Sequence, residues 1–257
     1  MARSVLGVAG ANNIQTSGMT FPTNFSFVCR LQTDHAVSSA SAESAIQIMK
    51  LSGSALDRFE LHWNHSAAGQ EGHFGLKADG GSFFYVEWNA SAAANTLYRI
   101  GCTYNGSTFR AFLDGSFVES VAMTDVMAND TACLLMIGEG RFNRPTDIDY
   151  VSDVAFWGVA MSDAVMESLT ASPQGADPMR TRPDQLITNL PIYGRESPEP
   201  DRSGNGIAGT VTGTAYVAHQ LTVARRPLQV IASQIVPTPT GPSIPVVYHH
   251  RKRNMAA

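Results

Sequence analysis

Charge is scarce in this chain. Asp, Glu, Lys and Arg make up 16% of its 257 residues, against roughly 25% in an ordinary soluble domain. So bare a surface fits a protein that hides part of itself in an assembly. Cysteine is scarcer still: three residues, an odd count, which argues against a disulfide framework. No run reaches the ~18 uncharged apolar residues of a membrane helix. The opening MARSVLGVAGANN is too short and Gly-rich for a secretion signal. Without one, the sequons at Asn24, Asn64, Asn89, Asn105 and Asn129 are expected to be chance matches in a chain rich in Ser, Thr and Asn. Gly and Pro are present in ordinary numbers, 22 and 13, which excludes a collagen-like or low-complexity chain. Acidic residues run out altogether beyond Tyr216. The basic residues there are Arg225, Arg226, Arg251, Lys252 and Arg253, so a tail of +5 follows a body of −9.

What is present is alternation. A hydrophobic share of 44% is enough for a sizeable core. FSFVCRL (25–31), AIQIMKL (45–51), RFELHW (58–63) and SFFYVEW (82–88) read as strands of period two. TLYRIGCTY (96–104), TFRAFLDG (108–115), FVESVAM (117–123), CLLMIG (133–138) and DYVSDVAFWG (149–158) read the same way. Asn105-Gly106 and Asp114-Gly115 are type I′ hairpin signals that make a three-strand meander. One helix is expected after Ser162 as N-cap, stopped by Pro173 and Gly175. Leu186–Tyr193 and the segment 207–217 read as further strands. Residues 1–217 are therefore expected to form an all-β antiparallel β-sandwich with one short helix. Phe27, Phe112, Ile137, Val154 and Phe156 are its expected core. Residues 218–257 carry five prolines and unpatterned apolar residues, and read as an extended arm.

Several segments carry a resemblance. YNGSTFRAFLDGSFVES, LLMIGEG and DIDYVSDVAFWGVAMSDAVMESL resemble the second half of a laminin G-like, concanavalin A-like jelly roll. The matching positions are Asp114-Gly115, Ile137-Gly138, Ile148-Asp149, Val151, Phe156-Trp157 and Met161 to Ala164, with FSFVCRL similar to the early strand. The family's first strand region often reads D-S-S-G-N-G-x-x-G-T-V-x-G. Here its counterpart, Asp201 to Gly213, lies after the helix. Residues 186–217 would then complete the sandwich in permuted order, start a truncated repeat, or pair with a neighbouring subunit. The continuation PEPDRSGNG with GTVTG resembles structural modules of tailed bacteriophages.

The chemistry these residues offer is thin. Glucanases of this jelly-roll class carry Glu-x-Asp-x-x-Glu on one strand; Asp147, Asp149 and Asp153 match it poorly and include no Glu. His62, His65 and His73 lack a Cys pair at zinc spacing. Cys29, Cys102 and Cys133 read as small strand hydrophobes. Asp201, Ser203 and Asn205 place oxygens at alternate positions before Gly206, a weak calcium pattern with no later bidentate acid; an Asx-turn is the plainer reading. Trp63, Trp88, Trp157 and Tyr104 suit either a sugar platform or core packing.

Two expectations follow. The first is a non-enzymatic virion component, a homo-oligomeric capsid decoration or cement protein, made in the host cytoplasm, with no cofactor. Its partner-binding residues would be Arg225, Arg226, Leu228, Ile231, Ile235, Val247, Tyr248, Arg251, Lys252 and Arg253, docking on other virion proteins. Five positive charges without interleaved aromatics speak against nucleic acid. The alternative is a carbohydrate-binding module of a tail or fibre that contacts host glycans.

Overall fold

A computed structural model describes residues 2–4, 13–16, 18–33, 44–50, 57–65, 70–77, 81–88, 96–123, 125, 129–138, 148–172, 175–192, 197–213 and 215–217. The arm from 218 onward, with all ten partner-binding residues named above, lies outside the described residues. So does Tyr193 at the end of one expected strand.

The strands follow in chain order as β1 (Ala2–Ser4), β2 (Asn13–Gln15), β3 (Met19–Phe21), β4 (Phe25–Thr33), β5 (Ser44–Lys50), β6 (Asp57–His65), β7 (Gln70–Lys77) and β8 (Phe83–Trp88). Then come β9 (Leu97–Tyr104), β10 (Thr108–Leu113), β11 (Ser116–Ala122), β12 (Asp130–Gly138), β13 (Ile148–Trp157), α1 (Asp163–Thr170), β14 (Leu186–Leu190), β15 (Thr210–Thr212) and β16 (Ala215–Val217). Sheet A runs β11-β10-β9-β4-β13-β1-β16, with β14 also on β13. Sheet B runs β15-β2-β12-β5-β6-β7-β8, with β3 also on β12. Every pairing is antiparallel, and the result is a jelly-roll-like β-sandwich.

Period two decides which side chains meet between the sheets. Phe25, Phe27, Cys29 and Leu31 of β4 point inward, and Phe59, Leu61, Phe74, Leu76 and Val86 meet them from sheet B. Phe27 and Phe59 have ring centroids 5.0 Å apart, and Phe25 stacks on Phe156 at 5.4 Å. Ile137 and Val154 are buried in the same layer.

Phe112 is buried elsewhere. Phe109 and Ala111 take the inward positions of β10, so the next position faces out. There Phe112 joins Val28, Ala155, Trp157, Met166 and Leu169 in a second layer between sheet A and α1. Gly101 admits the helix: a Cβ there would stand 2.7 Å from Thr170 Cγ2. Trp157 is anchored in this layer by donating its Nε1–H to Thr181 O at 2.8 Å.

The two hairpins of the meander differ. Asp114 (φ 47°) and Gly115 (φ 85°) form the expected turn with both residues left-handed. Asn105 instead makes an Asx-turn, its Oδ1 accepting from the Ser107 and Thr108 N–H groups at 3.1 and 2.9 Å, and only Gly106 takes positive φ (94°). The segment after the helix pairs within the same chain: β14 with β13, β15 with β2 and β16 with β1.

Candidate functional site

The two outer faces of the sandwich are treated differently. Sheet A's is covered by α1, which contacts β9, β10 and β11. Among the described residues no helix or strand packs on the outer face of sheet B. At its β6–β8 end, Glu60, Gly75 and Tyr85 stand in register across three strands.

Tyr85 is 40% exposed, a large value for an aromatic residue in the middle of a strand. Its ring stacks on Phe83, two residues away, with centroids 5.6 Å apart and planes 16° from parallel. Lys77 Nζ sits over the other ring of this pair, 5.4 Å from the Phe83 centroid. Gly75 supplies no side chain, so Tyr85 and the nearly buried Glu60 lean over it: a Cβ at 75 would lie 2.8 Å from Glu60 Cγ and 3.0 Å from Tyr85 Cε1. Desolvation, Glu60 and Glu87, in that order, push the Tyr85 hydroxyl up to about 12. Glu87 is held in place through its own N–H, which donates to Glu119 Oε2 of β11 and ties the edge of sheet B to that of sheet A. The result is an open aromatic surface bordered by two carboxylates and one ammonium. Such a surface offers ring faces to apolar C–H groups and charged acceptors to hydroxyls.

The aromatics that suit either a sugar platform or core packing fall on the core side wherever their side chains are described. Trp88, Trp157 and Tyr104 are buried, and the side chain of Trp63 lies outside the described residues. Trp88 fills the space left by Gly72 across the strand pair, where a Cβ would come within 2.3 Å of its ring. Of the acids compared with a glucanase motif, Asp153 occupies a β-bulge in β13 at φ 49° and pairs with Arg30 at 3.0 Å. The side chains of Asp147 and Asp149, and those of His62, His65 and His73, lie outside the described residues.

Asp201, Ser203 and Asn205 do come together. Asp201 Oδ1 accepts from the Asn189 and Ser203 N–H groups at 2.9 and 3.0 Å. Its Oδ2 accepts from the Ser203 hydroxyl at 2.7 Å and the Ile207 N–H at 3.0 Å. Asn205 Nδ2 donates to the carbonyls of Leu186 and Ile187 at 2.8 and 2.9 Å. These bonds stitch the 201–207 loop to β14, and both carboxylate oxygens are engaged in them. Among the described residues no three His, Cys, Asp or Glu side chains are placed to hold a metal ion.

Residues 9–165 match the family described as the concanavalin A-like lectin/glucanases superfamily. The chain belongs to that superfamily. Two solved structures show the same lectin-like architecture. A native heptameric SAP-like pentraxin from Limulus polyphemus aligns with a TM-score of 0.53 at 11% identity, over 82% of this chain and 94% of that one. A Bacteroides ovatus protein assigned to carbohydrate binding aligns with a TM-score of 0.53 at 16% identity, over 82% of this chain and 60% of that one. No curated protein matches the chain in sequence. As in any superfamily of this breadth, the shared fold leaves activity to be argued from the site. For this lectin/glucanase-superfamily chain the candidate site is Tyr85 and its neighbours, which the sequence reading missed. The signal was faint: Phe83 and Tyr85 sit at alternate positions of one strand, but Glu60 and Gly75 join them only through register. No helix among the described residues is long and apolar enough to cross a membrane.

Proposed function

We propose that this chain is a carbohydrate-binding module that contacts glycans through the outer face of sheet B. The observation that carries the reading is Tyr85, exposed between Glu60 and Glu87 on a sheet face that no helix or strand covers among the described residues. Sugar rings bind to such surfaces by laying C–H groups on an aromatic face while carboxylates accept from the hydroxyls. Superfamily membership supports this, since lectins belong to it. So does the likeness to the Bacteroides ovatus protein. Binding rather than hydrolysis is supported by Asp153, the described member of the glucanase-like acid trio, which Arg30 engages.

The capsid decoration reading is kept as the second one. The observation favouring it is the basic, acid-free, Pro-bearing segment 218–257, and a glycan-binding sandwich on a virion-anchored arm would satisfy both.

Probing the full chain and its Tyr85→Ala variant on a glycan array tests the proposal. Wild type should bind at least one glycan class, and the variant should bind it about tenfold more weakly, the loss of one aromatic contact. Absence of binding across the array, or turnover of a bound glycan, would overturn it.

A further inference from the structure

The outer face of sheet A holds a different arrangement. Arg30 of β4 and Arg99 of β9 are direct cross-strand partners. Like charges in that position repel, so each needs an answer. Arg30 has one: its Nε lies 3.0 Å from Asp153 Oδ2, an ion pair off the N–H axis. Arg99 is only 5% exposed. Its Nη1 donates to Leu169 O at 3.1 Å, capping the last turn of α1, where a cation suits the helix dipole. Its Nε and Nη2 are buried and have no hydrogen-bond partner among the described residues. These two atoms form the side edge of the guanidinium, with two parallel N–H bonds.

Arg99 also lines a cavity of about 250 Å³ whose wall includes Arg30, Asp153, Gly175 and Asp177. The rim acids are already engaged. Asp153 belongs to Arg30. Asp177 Oδ1 accepts from the Met179 N–H at 3.0 Å, and its Oδ2 lies 3.6 Å from Arg180 Nε. Asp114 accepts from the Arg99 backbone N–H, not from the guanidinium. Gly175 lets the chain close over the guanidinium: a Cβ there would stand 2.0 Å from Nη1. A buried cation with two unanswered parallel donors is costly unless something completes it. The complement is planar, negative and two-oxygened.

We propose that this pocket binds the carboxylate of a small organic acid, held side-on by Arg99 Nε and Nη2, with Arg30 adding positive charge. The cavity is smaller than the roughly 300–1,000 Å³ of drug-sized sites, so it takes the acid end of a ligand. A free short-chain acid and the carboxyl group of an acidic sugar share that chemistry. The inference does not depend on the glycan reading of sheet B.

The test is a titration of the full chain followed by the NMR signal of the Arg99 Nε–H. The probes are acetate, glucuronate, neutral glucose and sodium chloride. Acetate or glucuronate should move the signal saturably, while glucose and chloride at equal ionic strength should not. Glucuronate binding above acetate points to an acidic sugar, and equal binding to a free acid. Arg99→Lys keeps the charge but loses the fork, and should weaken binding at least about tenfold. If that variant does not fold, Arg30→Gln, which leaves the cap on Leu169 intact, should weaken binding several-fold. The proposal is overturned if neither acid gives a saturable shift by about 50 mM, well past a millimolar affinity. An equal response to chloride, or full affinity in the folded variant, would overturn it too.

Discussion

Tyr85 and Gly75 face each other across β7 and β8, and the ring occupies the space that a side chain at 75 would need. The glycine thereby sets how the exposed ring is presented. Gly75→Ala should displace Tyr85 or Glu60 by a few tenths of an ångström and weaken glycan binding, while the circular dichroism spectrum stays that of wild type. Unchanged affinity would show that ring placement does not matter.

Glu60 and Glu87 also act on Tyr85 electrostatically. A neighbouring negative charge disfavours tyrosinate, so removing one must lower the ionisation midpoint. Glu60→Gln should bring Tyr85 down from about 12 toward its ordinary 10.0. A spectrophotometric tyrosinate titration, differenced against Tyr85→Phe, reads the shift. A midpoint that stays put would remove Glu60 from the site.

The second hydrophobic layer is open to a stability measurement. Phe112→Ala should cost about 3–5 kcal/mol in urea unfolding, as expected for a fully buried Phe. A loss below about 1 kcal/mol would mean that α1 is not held through this ring.

Asp114 gives a pH dependence. Desolvation pushes its carboxyl up from 3.8 to about 6, although the turn residue as a whole is exposed. The folded state therefore holds the proton more tightly than the unfolded chain. Its contribution to stability is fully present below about 3.8 and is lost as pH rises through about 6. Solvent screening keeps the effect small. Asp114→Asn should flatten that part of the stability–pH curve and raise stability at neutral pH. A curve parallel to wild type would contradict this.

Cys29, Cys102 and Cys133 are buried and form no disulfide. Burial raises the thiol pKa of Cys29 and, with a smaller push from Cys29 itself, that of Cys102. At neutral pH a thiol reagent should leave all three untouched in the native chain and label them in urea. Rapid native labelling would place one of them at the surface.

These results also show what is readable in the sequence. The β9–β11 meander and α1 were legible because their signals are local: Asp114-Gly115 in one turn, Ser162 and Asp163 at the helix start. Strand β7 was not. Its alternation is diluted by Gly72 and Gly75, and the aromatic groups that cover those positions, Trp88 and Tyr85, come from the next strand. Strands β1 to β3 are three residues each, too short for a period to emerge. Phe112 was recognised as buried but assigned to the wrong layer, because parity says that it faces away from Phe109 without saying that a helix waits there. The Tyr85 surface and the Arg30–Arg99 pair exist only through cross-strand register, which the order of residues does not display.

The central claim, that glycans meet the outer face of sheet B, is tested most directly by mapping backbone amide shifts while the best array glycan is titrated into isotope-labelled full chain. The shifts should gather at Glu60, Gly75, Tyr85 and Glu87 and saturate together. Shifts gathered instead around Asn205 and Ile207 at the β14 loop, or spread without saturation, would contradict the account.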